Sequence, residues 1–246
     1  MIPAAIILCD HVGRPERLRT LRDAGDILGI PVFPVTPDLQ PHAHAASIAI
    51  PKHWLPAGDT LSPCRKLWHK AETLSLAAIG LGHVTPAEHY WIIESDCAAA
   101  LERWLAMFRD HADNPADFLT WRWWHREEFP AAKWWAHPGT PADYQIIHLL
   151  SLYRLSRLAV YHLLAVAEAR RETFGETAVA SRIHQAGLTL GKLNRTDTHT
   201  NCDVFASRED QTIRHRSYIN HPVKNDCYGA DFLPGHVQSP QSPDIR

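Results

Sequence analysis

Several absences narrow this chain before any motif is considered. Neither sign of charge is in excess: 25 Lys and Arg against 27 Asp and Glu leave a formal net charge of -2. No global basic field therefore recruits nucleic acid or anionic lipid. No two cysteines stand in C-x-x-C spacing, and the five present (Cys9, Cys64, Cys97, Cys202, Cys227) are odd in number and scattered. Reduced thiols and a cytoplasmic location are the simplest account. The opening "MIPAAIIL" has no basic leader and runs straight into a strand-like segment, so no signal peptide is expected. The longest helical apolar segment, "IIHLLSLYRLSRLAVYHLLAV", contains Arg154 and Arg157 and makes a poor membrane span. No internal repeat is present.

What is there fits a folded α/β protein. With 45% hydrophobic and 21% charged residues over 246 positions, the chain can bury a sizeable core. One domain is expected over residues 1–232. The tail 233–246, "LPGHVQSPQSPDIR", is rich in Pro, Ser and Gln and is expected to be disordered.

Short apolar runs at 4–9, 30–35 and 89–94 read as strands, the second weakened by Pro34 and expected at a sheet edge. Between them a helix begins at about Pro15. A second runs from about Pro63 through Leu67, Ala71, Leu74, Ala78 and Leu81, stopped near Gly80 and Gly82. Residues 36–62 read as a long loop. After the third strand comes a helix carrying Leu101, Trp104, Leu105 and Phe108, then a strand-like alternation over 117–124. A long helix is expected at roughly 149–172. A shorter one over 175–187 has Val179, Ile183 and Ala186 inward and Gly187 as its stop, and "LTLGKL" is the last strand. Alternating strands and helices argue for a mostly parallel central sheet with helices on both faces. Ligands of such sheets sit at the carboxyl ends of the strands.

At one such end stands the triplet Glu94-Ser95-Asp96. Burying a carboxylate costs several kcal/mol unless a cation or donors meet it. If strand alternation continues, Glu94 and Asp96 share a face and make a hard-oxygen site suited to Mg²⁺ or Mn²⁺. Taken alone, the triplet is equally a strand-end pair that caps the next helix or meets an arginine.

The N-terminal strand, Arg14-Pro15 opening the first helix, and an apolar strand ending in an acidic triplet together resemble glycosyltransferases of the GT-A fold, a Rossmann-like single domain. In that family the triplet is the DxD motif. Its last carboxylate, here Asp96, binds the metal, and its first, here Glu94, faces the ribose or a metal-bound water. "FGETAVASRIHQAG" is similar to the family's xED-type helix start, with Glu176 at the acidic position and Thr177 replacing the second acid. "SYINHPVK" resembles the C-terminal histidine segment: His221 would complete the metal shell and Lys224 would reach the diphosphate.

The resemblance spans most of residues 4–224 and implies further roles. Asp10 falls where the nucleotide base is met. Arg14, with Arg65 and Lys66 at the next helix start, falls where nucleotide or phosphate is held, and Ser95 lies within the donor motif. It implies an Mn²⁺- or Mg²⁺-dependent transferase acting on a nucleotide-diphosphate sugar. The acceptor would be a glycan or other hydroxyl compound, with peripheral membrane association compatible with cell-surface glycan synthesis. Glu176 is the catalytic base if configuration is inverted; a retaining enzyme needs none.

Each of these residues also has a structural use. Glu176 in a first helical turn gains about 0.3–1 kcal/mol from the helix dipole alone, Asp10 suits a helix cap, and His221 before Pro222 suits a surface turn. Trp121, Trp123, Trp124, Trp134 and Trp135 are dense for one short region; two or so are expected in the core and the remainder along a cleft as an acceptor platform. His42 with His44, and Asp197 with His199, are second-tier candidates. Other α/β enzymes that handle phosphate are less well matched. Nucleotidyltransferases want a glycine-rich loop where only Gly13 stands, and aspartyl-phosphate phosphatases want a second acid after Asp10. A non-catalytic nucleotide- or glycan-binding relative remains the alternative that Thr177 favours.

Overall fold

A computed structural model describes residues 1–9, 15–37, 48–50, 71–95, 97–131, 135, 141–148, 152–169, 175–194, 198–200 and 219–221. In chain order these form β1 (Ile2–Cys9), α1 (Pro15–Leu28), β2 (Val32–Pro37), β3 (Ile48–Ile50), α2 (Ala71–Gly80), β4 (Ala87–Glu94), α3 (Leu101–Asp110), β5 (Phe118–Thr120) and β6 (Trp123–His125). There follow β7 (Ile146–His148), β8 (Leu152–Ser156), α4 (Arg157–Ala169), α5 (Gly175–Gln185), β9 (Leu190–Lys192), β10 (Thr198–Thr200) and β11 (Ile219–His221).

Apolar side chains on both faces of β1 and β4 explain why these strands are central. Ala5, Ile7, Tyr90 and Ile92 pack on one side with Leu74 and Ala78 of α2, Leu163 of α4, and Val179 and Ile183 of α5. Ile6, Leu8, Trp91 and Ile93 pack on the other with Leu18 and Leu21 of α1 and Trp104, Met107 and Phe108 of α3. Alternate residues of one strand thus enter opposite cores, as the two-residue period requires. The result is an α/β fold: a mostly parallel central sheet with helices on both faces, as expected. The strand order is β3-β2-β1-β4-β8-β5-β9. β8 alone is antiparallel to its neighbours β4 and β5, while β1–β4 and β5–β9 pair in parallel. The pairs β6-β7 and β10-β11 form two separate small sheets.

Turn chemistry sets the helix limits. Gly187, with φ of 72°, follows α5 and takes the left-handed conformation that other residues resist. At Gly25 in α1, a Cβ would overlap the carbonyl oxygen of Ile30, so the chain returns to β2 closely only with glycine there.

Several expectations need correction. The apolar run expected as one helix over 149–172 is β8 followed by α4. Leu152, Tyr153, Arg154 and Leu155 are buried on both sheet faces, and a strand buried on both faces shows no period that separates it from a helix. Ser156 marks the change: its hydroxyl accepts the Ala159 N–H at 3.1 Å, capping α4. The alternating stretch 117–124 is two strands in two sheets, β5 in the main sheet and β6 outside it. β2 lies one strand in from the edge, because β3 (inside the stretch expected to be a loop) covers it. The Ile6 N–H donates to Pro31, which turns Pro34 toward β3; β3 pairs only from Val35 onward, so no ladder donor is missed. Ala186 is exposed rather than inward. The segment 188–193 contains β9, but β10 and β11 follow it. The tail from 233 and the helix start near Pro63 lie outside the described residues. Among the described residues, no helix is long and apolar enough to cross a membrane.

Candidate functional site

Parallel pairing brings the carboxyl ends of β1 and β4 level, with Cys9 opposite Glu94. The Ser95 N–H extends the ladder by donating to the Cys9 carbonyl at 3.0 Å. The Cys97 N–H then donates back to the Glu94 carbonyl at 2.9 Å, so the chain turns directly after the strand. This alters the expected geometry. Alternation cannot carry past Glu94, because Ser95 is already in the turn. Glu94 is 8% exposed and Ser95 1%, so a carboxylate is held almost out of water at the strand end. Beside it the Cys9 thiol and the Ser75 hydroxyl of α2 lie 3.0 Å apart.

Of the other candidates, Asp10, Arg14, Arg65, Asp96 and Lys224 lie outside the described residues, as do His42, His44, Lys66 and Asp197. Glu176 is placed by its backbone as the second residue of α5. Thr177 beside it is fully buried, so the start of α5 packs into the core. The backbone of His221 ends β11, opposite Thr200 of β10. The structure therefore joins Glu94 and Ser95 to the end of β1, and the remainder of the expected set is placed by backbone alone or not at all. Among the described residues no cluster of three His, Cys, Asp or Glu forms a metal site.

A second group of side chains occupies the same edge of the sheet farther along. β5 and β9 end there too, with Thr120 opposite Lys192. The chain leaves β5 through Trp121, Arg122 and Trp123. The Lys192 Nζ lies 4.4 Å from the centroid of the Trp123 ring, and the Arg122 guanidinium lies 4.6 Å from Trp121 and 5.8 Å from Trp124. Trp123 is fixed by donating its indole N–H to the Gly191 carbonyl at 3.2 Å. The rings of His125 and His184 meet edge to face at 5.7 Å. Trp121, Trp123 and Trp124 are each half-buried, one against each of three apolar clusters; Trp135 is buried, and Trp134 lies outside the described residues. Sequence reasoning marked the tryptophans and missed Arg122 and Lys192. The W-R-W order was a visible signal for the first; for Lys192 only the strand register reveals its place.

The opposite, amino edge is chemically different. A cavity of about 210 Å³ opens there between Pro3, Ala4, His89, Trp91, Phe108 and Arg154. Arg154 donates to the carbonyls of His111, Asn114 and Ala116, and burial pulls its guanidinium down to about 10. Burial, then the nearby Arg154 charge, keep the His89 imidazole below its ordinary value. For Asp117 burial pulls upward, but hydrogen bonds from Thr189 and Ser156 outweigh it and hold the carboxyl below its usual value.

No known protein family matches the chain, and no curated protein does. Among solved structures it is similar to a glycosyltransferase involved in the glycosylation of the major capsid of PBCV-1. The identity is 10% and the TM-score 0.49, over 93% of this chain and 97% of that one. A likeness so remote fixes no chemistry for the present chain.

Proposed function

We propose that this protein is a metal-dependent glycosyltransferase that moves a sugar from a nucleotide-diphosphate donor to an acceptor hydroxyl. One observation carries the reading: Glu94 is a nearly buried carboxylate at the carboxyl end of a central parallel strand, level with the end of β1. That is where such sheets bind ligands. The oxygen donors of the Glu94-Ser95-Asp96 segment suit a hard divalent ion.

In this reading Asp96 and His221 hold Mn²⁺ or Mg²⁺, which when bound neutralises the charge growing on the leaving diphosphate. Lys224 adds a fixed positive charge to the same oxygens. Glu94 and Ser95 hold the donor's ribose side, and Asp10, Arg14 and Arg65 hold its base and phosphates. Glu176, with Thr177 buried, is the carboxylate left at the start of α5 to take the acceptor proton as the hydroxyl attacks. The cytoplasmic face of cell-surface glycan synthesis is the setting this chemistry fits.

Calorimetry of nucleoside diphosphates with and without Mn²⁺ tests the reading. Binding that requires Mn²⁺ and vanishes in Asp96→Ala supports it. Equal affinity in the variant, with an unchanged melting temperature, removes the donor site.

A further inference from the structure

The cavity at the amino edge is lined by nitrogen bases and by no carboxylate. The Arg154 and Arg109 guanidiniums and the His89 imidazole share it with the rings of Trp91 and Phe108. Arg154 is 1% exposed and marks the inner end, while exposed Arg109 marks the mouth. Both Nη groups of Arg154 donate to carbonyls. Its Nε–H is also buried and meets no acceptor among the described residues. Buried donors are ordinarily hydrogen-bonded, so this one has a place for an acceptor that the fold does not supply. The three carbonyls carry no formal charge, and among the described residues no ion pair closes the guanidinium. Asp117 acts on Arg154 by its charge, but its oxygens are taken by Ser156 and Thr189. The field is felt by His89: burial, then the Arg154 charge, disfavour its proton and together outweigh Glu88 and Asp117. The Arg154 Cζ lies 5.7 Å from the centroid of the Trp91 ring, so positive charge and aromatic wall stand side by side in one cavity.

We infer that this cavity is a binding site for a small organic carboxylate, its acid group answering the positive charge of Arg154 and Arg109 and its apolar body packing on Trp91 and Phe108. A cavity of about 150 Å³ holds a benzene ring, so about 210 Å³ holds one ring with a short acid arm. Free phosphate has the charge but leaves the apolar wall uncovered. A neutral hydrocarbon covers the wall and leaves the cations unanswered. The site lies at the end of the sheet opposite Glu94, and the inference does not depend on the transferase reading.

The test is calorimetry of the full chain with phenylacetate, with its neutral counterpart 2-phenylethanol, and with inorganic phosphate. Phenylacetate is expected to bind at least about tenfold more tightly than either of the others. Arg109→Gln is expected to weaken phenylacetate about fivefold, the upper range for an exposed charge pair, and to leave 2-phenylethanol unchanged; Arg109→Lys restores most of the loss. Ala112→Trp, at an exposed position of the lining, is expected to block both phenyl compounds. Melting temperatures within a few degrees of the parent, as expected at two exposed positions, exclude misfolding. Phenylacetate binding is also expected to persist in Asp96→Ala. Equal affinity for the acid and the alcohol, tighter binding of phosphate, or no saturable binding overturns the inference. So does phenylacetate binding that ignores both Arg109→Gln and Ala112→Trp, or that is lost in Asp96→Ala, which would place the carboxylate in the donor site.

Discussion

The two edges of the central sheet use polar residues in opposite ways. At the amino edge Arg154 and Asp117 are turned to partners within the fold. Arg154 is spent on three carbonyls. Asp117 accepts from the Ser156 hydroxyl and from both the backbone and hydroxyl of Thr189. The Ser156 oxygen in turn caps α4. At the carboxyl edge the cations rest on aromatic rings, and a buried acid stands at a strand end where the chain turns. The first edge holds the strands together; the second carries the acid of the proposed donor site. The comparison separates charge used for stability from charge kept for binding, and mutation can test that separation one edge at a time.

The largest effect is expected from Arg154→Met. It leaves three carbonyl acceptors without their charged donor, each worth about 1.5–3 kcal/mol before the methionine's own apolar gain. A net loss of about 3–4 kcal/mol in urea unfolding is expected, and a loss below 1 kcal/mol would mean the network is ornamental. Asp96→Ala should act the other way round, removing Mn²⁺-dependent nucleotide binding by at least 100-fold in calorimetry with the melting temperature unmoved. A joint loss of stability and binding would erase the distinction between the edges.

Ser156→Ala should cost about 1 kcal/mol, the usual value of a helix cap, read from the same urea curves, and should leave Mn²⁺-dependent nucleotide binding intact. The smallest effect concerns pH. The neutral His89 imidazole is favoured in the folded state, so its folded value lies below the unfolded one of about 6.5. The unfolded chain takes up the proton first as pH falls. Stability from this group is therefore complete above about pH 6.5 and declines as pH drops through the folded value. His89→Gln should flatten the urea midpoint between pH 6.5 and 5.5; an unaltered slope would assign the decline to other groups.

Asp117 follows the same sign farther down. Its carboxyl is held below the ordinary value, so its contribution is present above about pH 4 and lost in more acid solution.

Much of the scaffold was legible because single residues forced it. The alternation of β1 and β4 between two cores, Pro15 at the start of α1 and Gly187 after α5 follow from local geometry. The long expected helix at 149–172 failed for a reason that local geometry cannot supply. Arg154 reads as the polar face of an amphipathic helix until its carbonyl partners around residues 111–116 are known, and only then does burial in a strand become affordable. The candidate site divides in the same manner. Glu94 and Ser95 were found by their place at the end of an apolar run. Lys192 reaches the Trp123 ring, far earlier in the chain, only because β9 lies beside β5.

By itself, then, the chain's order of residues determined the class of fold, the central strands, several of the helix limits and the acid at the end of β4. All of these depend on near neighbours and on the two- and 3.6-residue periods of the backbone. Tertiary structure alone decided that β8 is a reversed strand, that Thr177 is core, and that Arg154 is bound to carbonyls at the amino edge while Lys192 lies over Trp123 at the other. Those outcomes depend on where distant segments lie against one another, and neither hydrophobic period nor composition carries that information.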